Sequence, residues 1–564
     1  MTRHAALRSV WLHAIAAAAV LVLVALATRP GSAYLSDEGA AILQSRQLSG
    51  QRAWVYENPL PDLDPAHAAM PFPQGDEGAK GRAPYARHPL YPRLLQGAHA
   101  LAGTAGYLGL SIIGTVLAAL GGARLARRVR PVLAVPVLWT VVLSPLFFDS
   151  FVVLAHTLAA AAAAGGLLAF LRAIDPSARA RWLDALVLVV CTALAAALRT
   201  EGVFFSVAVA VAALMAVRRG VSIRRAAPVA LLAVVAATAV RLGESRFLDG
   251  AVGSSRGGVD IGRRGYGTGR VDGFVETWLL PGDRPVLRAA LFLVLGVATI
   301  AVAALLVRFG RRDALVAGLM WLGAGGYVAR LLVGDPHPVP GLLVAFPLGL
   351  AAALLVTRRD VESTSAAVAA VAAGVIAVMV LLTQYPEGGS VEWGGRYFAV
   401  AVPLAAVPLM AALARTWDDW SDGTRRVASG GLALATLATA ALACATLRDS
   451  HDRSAEQARA VEVAARRAGP ADVGRAGDTR PIVVTTESLV PQLLWPVFER
   501  YRWLVVEPNE VATVLERAAQ ARVERLVLLT ADPTPALAAA APWYRPEAAS
   551  GPAPPVPVVV LELR

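Results

Sequence analysis

An aspartate and a glutamate stand side by side at Asp37 and Glu38, directly after the first long apolar run of the chain. A positioned carboxylate can serve as a general base that accepts the proton of an attacking hydroxyl group. Two carboxylates can also offer oxygen ligands to a divalent cation. The alternative is structural, because the helix dipole favours acidic residues in the first turn of a helix. A helix is predicted over residues 40–48, so the pair alone favours the structural interpretation.

Arginine, histidine and tyrosine recur in further short segments between apolar runs. They are Arg87, His88 and Tyr91 in one segment, Arg199 and Glu201 in the next, His337 alone, and Glu392, Arg396 and Tyr397 in the last. The guanidinium fork matches phosphate oxygens and stays charged, so these arginines are candidates for binding a phosphate group. Interfacial anchoring by Tyr and Arg and a plain Arg199–Glu201 ion pair are the competing interpretations. Asp149 and His156 are weaker candidates of the same kind.

The elements that must position these side chains are membrane-spanning helices. Of the 564 residues, 56% are hydrophobic and only 17% are charged, which is too apolar for a water-soluble protein of this length. A bilayer core of about 30 Å requires about 20 apolar residues of helix. Thirteen spans are predicted, at residues 10–28, 97–120, 131–148, 150–171, 183–198, 202–217, 226–241, 288–307, 314–333, 339–357, 364–384, 397–414 and 427–447.

The arginines predict the orientation of these spans, because clusters of them occupy every second short loop. Basic short loops remain in the cytoplasm, which places the N-terminus inside and the C-terminal tail outside. The net charge of +12 is therefore a mark of topology rather than of nucleic-acid binding. A cleaved signal peptide is the alternative for the N-terminus, with residues 31–33 near the cleavage site. The first apolar run is long enough to span, and the candidate residues all fall on the exterior face.

Two parts of the chain differ in character on either side of residue 447. Residues 1–447 form the predicted membrane domain, with one large exterior loop at 29–93. Residues 448–564 contain β-branched apolar runs and a predicted helix that begins near Asn509. This pattern indicates a small exterior α/β domain without a glycine-rich phosphate loop. We interpret it as a scaffold or an acceptor-docking module.

The order of these motifs resembles that of a known family. The Asp-Glu after the first span, the His-Pro-Leu-Tyr-Pro return into the second, the Arg-Thr-Glu-Gly turn and the Gly-Gly-Arg-Tyr entry are similar to those of GT-C glycosyltransferases. The resemblance is strongest to bacterial relatives of protein O-mannosyltransferases and aminoarabinose transferases, and it covers residues 1–447. It implies a polytopic α-helical membrane enzyme of the bacterial cell membrane.

The resemblance also implies a reaction. Such enzymes take a sugar from a polyprenyl-phosphate carrier at the exterior face and transfer it to a hydroxyl of a glycan, protein or lipid. Asp37 would be the general base, and Glu38 would orient it, assist it or help to hold a divalent metal ion. Arg87, Arg199 and Arg396 would neutralise the carrier phosphate. With a single base the displacement would invert the anomeric centre.

Two other functions remain open at the level of the sequence. A transporter or flippase of a lipid-linked sugar would also place charges inside a membrane, but the chain lacks the internal repeat that many transporters contain. A non-catalytic envelope assembly protein could share the same fold, because fold does not determine function.

Overall fold

The structure is a computed structural model that describes residues 3–28, 31, 33–50, 53–71, 82–84, 88–252, 316, 318, 320–321, 342–383, 395–471, 473, 477–547 and 554–564. The helices of this part of the chain are α1 (Arg3–Thr28), α2 (Ser36–Gly50), α3 (Leu90–Ala102), α4 (Thr104–Val129), α5 (Ala134–Val142), α6 (Leu146–Asp149), α7 (His156–Ala173), α8 (Arg181–Leu198), α9 (Glu201–Arg218), α10 (Ile223–Val252), α11 (Leu342–Ala345), α12 (Pro347–Ala353), α13 (Thr364–Thr383), α14 (Val402–Asp419), α15 (Asp422–Ala468), α16 (Val490–Leu493), α17 (Trp495–Phe498), α18 (Val511–Gln520) and α19 (Pro533–Ala540). The strands are β1 (Val55–Glu57), β2 (Arg82–Pro84), β3 (Ile482–Thr485), β4 (Arg502–Val505), β5 (Arg525–Leu529), β6 (Tyr544–Glu547) and β7 (Val558–Leu563).

Eight of the described helices are long and apolar enough to cross a membrane. Each coincides with a predicted span: α1, α4, α7, α8, α9, α10, α13 and α15. The predicted span at 97–120 is divided, because α3 ends at Ala102 and α4 begins at Thr104. Predicted span 131–148 is a shorter apolar helix followed by the four-residue α6. The predicted spans at 288–307 and, for the most part, 314–333 lie outside the described residues.

Arginine-bearing loops that were predicted to share one membrane face contact one another. Arg219, which follows α9, donates hydrogen bonds to the carbonyl oxygens of Glu362 at 2.8 Å and Val361 at 2.9 Å. Arg415 near the end of α14 donates to both carboxylate oxygens of Asp360. These contacts agree with the predicted alternation of the loops. Which face is cytoplasmic remains a prediction.

The C-terminal residues form a five-stranded mixed sheet in the order β4-β3-β5-β7-β6. Strand β3 is parallel to β4 and β5, and β7 is antiparallel to both β5 and β6. Four of these strands were predicted, and β6 was not. The predicted helix is α18, but it begins at Val511, with Glu510 rather than Asn509 at its N-cap.

The predicted exterior loop completes the core of this domain. Leu60 and Leu63 are fully buried among the side chains of β3, β5 and α18. The amide of Val505 donates to the carbonyl oxygen of Ala69 at 2.8 Å. The loop and the tail therefore lie on the same side of any membrane that the helices cross. This requires an even number of spans between them, in agreement with the twelve predicted after the first.

The chain divides into two compact units. Unit 1 contains residues 1–28, 108–242 and 260–446, which include most of the apolar helices. Unit 2 contains residues 29–107, 243–259 and 447–564. Residues 447–564 share unit 2 with the loop at 29–93. The division into a 1–447 and a 448–564 domain remains a prediction.

Candidate functional site

Unit 1 contains a group of mostly buried charged and aromatic side chains, which we call the buried charged cluster. Its members are Asp149, His156, Arg199, Glu201, Arg396 and Tyr397. Three polypeptide segments that are distant in sequence supply these side chains. Ionisable groups at such positions in membrane helices are costly and mark functional sites or ion pairs.

Arg199 and Glu201 stand at the break between α8 and α9. The backbone of Arg199 is extended, and α9 begins two residues later. The Nε and Nη2 atoms of Arg199 donate to Glu201 Oε2 at 3.1 Å and Oε1 at 3.0 Å. The Glu201 carboxylate is 1% exposed, whereas the Arg199 side chain is 17% exposed. The ion pair of the competing interpretation is therefore present, and both residues lie at a break between two helices; their role in substrate binding remains a prediction.

The backbone conformation and the close packing at position 395 explain why a glycine precedes Arg396. The backbone of Gly395 is left-handed, with φ of +87°, and an added Cβ would crowd the side chains of Leu342 and Pro145. The following 3-10 turn, Arg396–Phe398, buries both Arg396 and Tyr397. Nη2 of Arg396 donates to the Tyr397 hydroxyl at 2.8 Å, and its guanidinium lies 4.6 Å from the centre of that ring. A second cation, Arg199, lies 5.8 Å from the same ring, within cation–π range.

Asp149 ends α6 and His156 begins α7, and the segment between them is buried and mostly non-helical. Two hydroxyls of α4 hold it: Ser111 donates to the carbonyl of Val152 at 2.7 Å, and Thr115 and Ser150 share a 2.7 Å hydrogen bond. Irregular backbone at membrane depth requires such partners. The arrangement fixes Asp149 and His156 in place.

Asp149 and His156 are buried polar side chains with few hydrogen bonds. Oδ2 of Asp149 and both ring nitrogens of His156 have no hydrogen-bond partner among the residues that the structure describes. Asp149 is buried and interacts electrostatically with Arg396 and Arg199. The His156 ring meets Tyr397 edge to face at 6.4 Å.

The buried charged cluster is chemically suited to an anion. Two guanidiniums converge on Tyr397, and Glu201 accepts hydrogen bonds from Arg199. A guanidinium in a low-dielectric site forms strong charge-assisted hydrogen bonds with phosphate oxygens.

The Asp37–Glu38 pair lies in unit 2, at the start of α2. Oε1 of Glu38 accepts hydrogen bonds from the backbone amides of Tyr34 at 2.8 Å and Leu35 at 2.9 Å. Glu38 is 2% exposed and so caps its own helix, as the structural interpretation proposed. Asp37 is exposed. The two neighbours are thus in different environments, with one committed to the helix end and the other facing outward.

A histidine–carboxylate pair is the second feature of unit 2. Nδ1 of His88 lies 2.8 Å from Oε1 of Glu244, and both side chains are largely buried. Tyr91, one turn further along, is 5% exposed. Sequence reasoning missed Glu244. The signal was present, because Glu244 is the first carboxylate after the predicted span at 226–241.

Three predicted site residues, Arg87, His337 and Glu392, lie outside the described residues. The described parts of the chain contain no group of three or more His, Cys, Asp or Glu side chains suited to hold a metal ion. Asp37 and Glu38 do not form a convergent pair of ligands there, because Glu38 is turned to the start of its helix. We therefore derive no step through a metal.

No protein family matches the sequence of the chain. A search of curated protein sequences finds no match either. Solved structures do resemble it. ArnT from Cupriavidus metallidurans in the apo state matches with a TM-score of 0.55 and 13% identity, over 98% of this chain and 97% of that one. The archaeal oligosaccharyltransferase AglB from Archaeoglobus fulgidus matches with a TM-score of 0.51 and 14% identity, over 91% of this chain and 69% of that one.

The chain accordingly has the fold of a polytopic membrane protein of the GT-C class. ArnT is an aminoarabinose transferase, and ArnT and AglB are both GT-C fold glycosyltransferases. The fold predicted from the order of the motifs is confirmed.

Proposed function

We propose that the protein is a membrane glycosyltransferase that moves a sugar from a polyprenyl-phosphate carrier to an acceptor hydroxyl group. The buried charged cluster is the observation that carries this proposal. It combines two guanidiniums, which can bind a phosphate, with a surrounding of apolar helices, which can accept a polyprenyl chain.

Two relatives in fold support the choice of a lipid-linked donor. A second structure of ArnT from Cupriavidus metallidurans, with a TM-score of 0.53 at 13% identity over 98% of this chain and 97% of that one, is bound to undecaprenyl phosphate. The AglB structure is in complex with an inhibitory peptide and a dolichol-phosphate. A phosphate on a long isoprenoid is thus a ligand of both proteins. We assign the same class of ligand to this chain.

The proposed reaction is a direct displacement at the anomeric carbon. The acceptor oxygen forms a bond to that carbon while the bond to the phosphate oxygen breaks, and polyprenyl phosphate leaves with the electron pair. Asp37 accepts the proton of the hydroxyl, as an exposed carboxylate can. Arg199 and Arg396 stabilise the phosphate, which needs little protonation to depart. A single displacement inverts the anomeric configuration.

The remaining predicted residues take supporting roles in this proposal. Glu38 fixes the start of the helix that carries Asp37. His88 and Tyr91 stay in the proposed substrate-binding set, as do Arg87, His337 and Glu392 outside the described residues. The proposed location is the bacterial cell membrane, with the N-terminus cytoplasmic and the reaction on the exterior face.

A donor panel tests the proposal. Purified protein in detergent is incubated with a set of polyprenyl-phosphate sugars and simple glycan, peptide and lipid acceptors, and released polyprenyl phosphate is measured. We expect release with at least one donor and near-complete loss in Asp37→Asn, which keeps the size of the side chain. Arg425→Gln, at the start of α15, is the control variant and should retain turnover. Movement of the intact donor across the membrane of proteoliposomes, without bond cleavage, would identify the protein as a flippase instead.

A further inference from the structure

Helix α2, which carries Asp37 and Glu38, packs directly against the C-terminal domain. A Cβ added to Gly39 would overlap the backbone carbonyl of Gln492 in α16. No side chain larger than hydrogen fits between the two backbones. Because the obstacle is backbone rather than the end of a flexible side chain, it cannot move aside without shifting α16.

A second contact lies two turns further along the same helix. The guanidinium of Arg46 lies 4.4 Å from the centre of the Trp495 ring, and its Nη1 is 4.0 Å from a carboxylate oxygen of Glu499. Trp495 also meets Tyr107 edge to face at 6.4 Å. Trp495 is largely buried by these neighbours.

The segment that contacts α2, residues 490–498, is the docking segment. It also contacts the loop that follows α2. The side-chain amide of Gln492 donates to the carbonyl oxygen of Pro71 at 3.0 Å, and Gln492 is 2% exposed. One residue of the C-terminal domain thus touches α2 through its backbone and the loop through its side chain. Helix, loop and docking segment therefore constrain one another.

The helical repeat relates this contact to the direction of Asp37. Successive residues of an α-helix are about 100° apart around the axis. Gly39 and Arg46, seven residues apart, therefore lie within about 20° of each other on one face. Asp37 precedes Gly39 by two residues and lies about 200° away, on the opposite face. Docking through Gly39 and Arg46 turns Asp37 away from the C-terminal domain, consistent with its exposure.

We infer that residues 490–498 of the C-terminal domain are a positioning element for Asp37, with Gly39 and Gln492 as positioning residues. The inference rests on the proposed function, since it gives Asp37 its role as base. The tail would then set the rate of the chemical step in addition to any part in acceptor docking. Displacement of a catalytic group by about 1 Å can lower the rate by about a hundredfold.

Two alanine variants of the same helix provide the test. Gly39→Ala introduces a methyl group at the contact with Gln492. Gly50→Ala adds the same methyl group at the end of α2, where no atom lies within 4 Å. We expect Gly39→Ala to lower kcat at least tenfold while KM for the donor stays within about twofold. Gly50→Ala should keep the wild-type kcat. Hydrogen exchange of residues 490–498 should rise in Gly39→Ala alone.

A milder variant covers the case in which Gly39→Ala fails to fold. Arg46→Met keeps the length of the side chain and removes its cation–π contact, so kcat should fall about two- to fivefold. Wild-type kcat in folded Gly39→Ala and Arg46→Met would overturn the inference, as would equal losses in the Gly50→Ala control. Absence of transfer by the wild-type protein would instead overturn the proposed function, so the two failures are distinct.

Discussion

Replacement of Arg396 by Gln tests the phosphate-binding role of the buried charged cluster. The substitution removes a guanidinium that is 6% exposed and lies over the Tyr397 ring. A hydrogen bond to a charged group contributes about 1.5–3 kcal/mol, which corresponds to a roughly 10- to 150-fold increase in the Kd of the lipid donor. Glutamine retains hydrogen-bonding capacity, so the loss is mainly that of the charge.

The change in the Kd of the donor can be measured by thermal unfolding, because a bound ligand stabilises the folded protein. At a donor concentration about a hundred times Kd, binding stabilises the wild-type protein by about 2.7 kcal/mol. If Kd rises about a hundredfold, the same concentration only equals Kd, and the stabilisation falls to about 0.4 kcal/mol. The increase in Tm caused by the donor should therefore almost disappear in Arg396→Gln. Equilibrium binding of a radiolabelled polyprenyl-phosphate sugar gives the Kd independently.

Two further variants test whether the loss of donor affinity comes from the charge of Arg396 itself. Tyr397→Phe removes only the hydroxyl that accepts the 2.8 Å hydrogen bond from Arg396, and about 1 kcal/mol or roughly a fivefold rise in Kd is expected. Arg425→Gln removes an arginine at the start of α15 that donates to the carbonyl oxygens of Trp417 and Asp418 at the end of α14, and donor affinity should not change. A folded Arg396→Gln protein with the wild-type Kd would refute the assignment of this arginine to the phosphate.

Three further perturbations follow from the electrostatics. Glu244→Gln keeps a hydrogen-bond partner for His88 but removes the negative charge beside it, so kcat/KM for the donor should fall with little change in Tm, and an unchanged kcat/KM would remove the pair from the reaction. Asp149 is buried and interacts electrostatically with Arg396 and Arg199, so its carboxylate would compete with an anionic donor for the two guanidiniums; Asp149→Asn should therefore lower the Kd of the donor, and an unchanged Kd would contradict this. Burial alone would raise the pKa of Asp360, but hydrogen bonds, foremost those from Arg415, hold it below its usual range. The stabilisation of the fold by the Asp360 carboxylate is therefore present above a pH of about 4. It is lost as the pH falls through the lower pKa that Asp360 has in the folded state. Thermal melts of Asp360→Asn and the wild type should converge at low pH, and a constant difference in Tm would contradict this.

The membrane helices were predictable because each depends on local composition alone. A run such as residues 364–384 is apolar over the length that a bilayer needs, and α13 follows it closely. Arg199, Glu201, Arg396 and Tyr397 were likewise visible as ionisable and aromatic groups that interrupt apolar runs. The structure brings these four together.

The features that escaped prediction depend on contacts between distant segments. Leu60 and Leu63 lie in a proline-rich loop whose sequence shows no strand or helix periodicity, and only the sheet of the C-terminal domain gives them a core. Strand β6 contains Pro546 and pairs with β7 at the edge of the sheet, where β-propensity is a weak guide. The pairing of His88 with Glu244 joins residues that are 156 positions apart. No short-range pattern encodes such proximity.

The shared core of loop and tail also constrains biosynthesis. Ala69 and Ile482 belong to one hydrophobic cluster, yet roughly 400 residues separate them, and a ribosome that adds about 5–20 residues per second needs about 20–80 seconds to make that interval. During that time Leu60 and Leu63 are already synthesised, but their packing partners do not yet exist. The loop must therefore wait with exposed apolar side chains. A chaperone, or the lipid surface itself, is the environment in which that segment would be kept from aggregating until the last strand arrives.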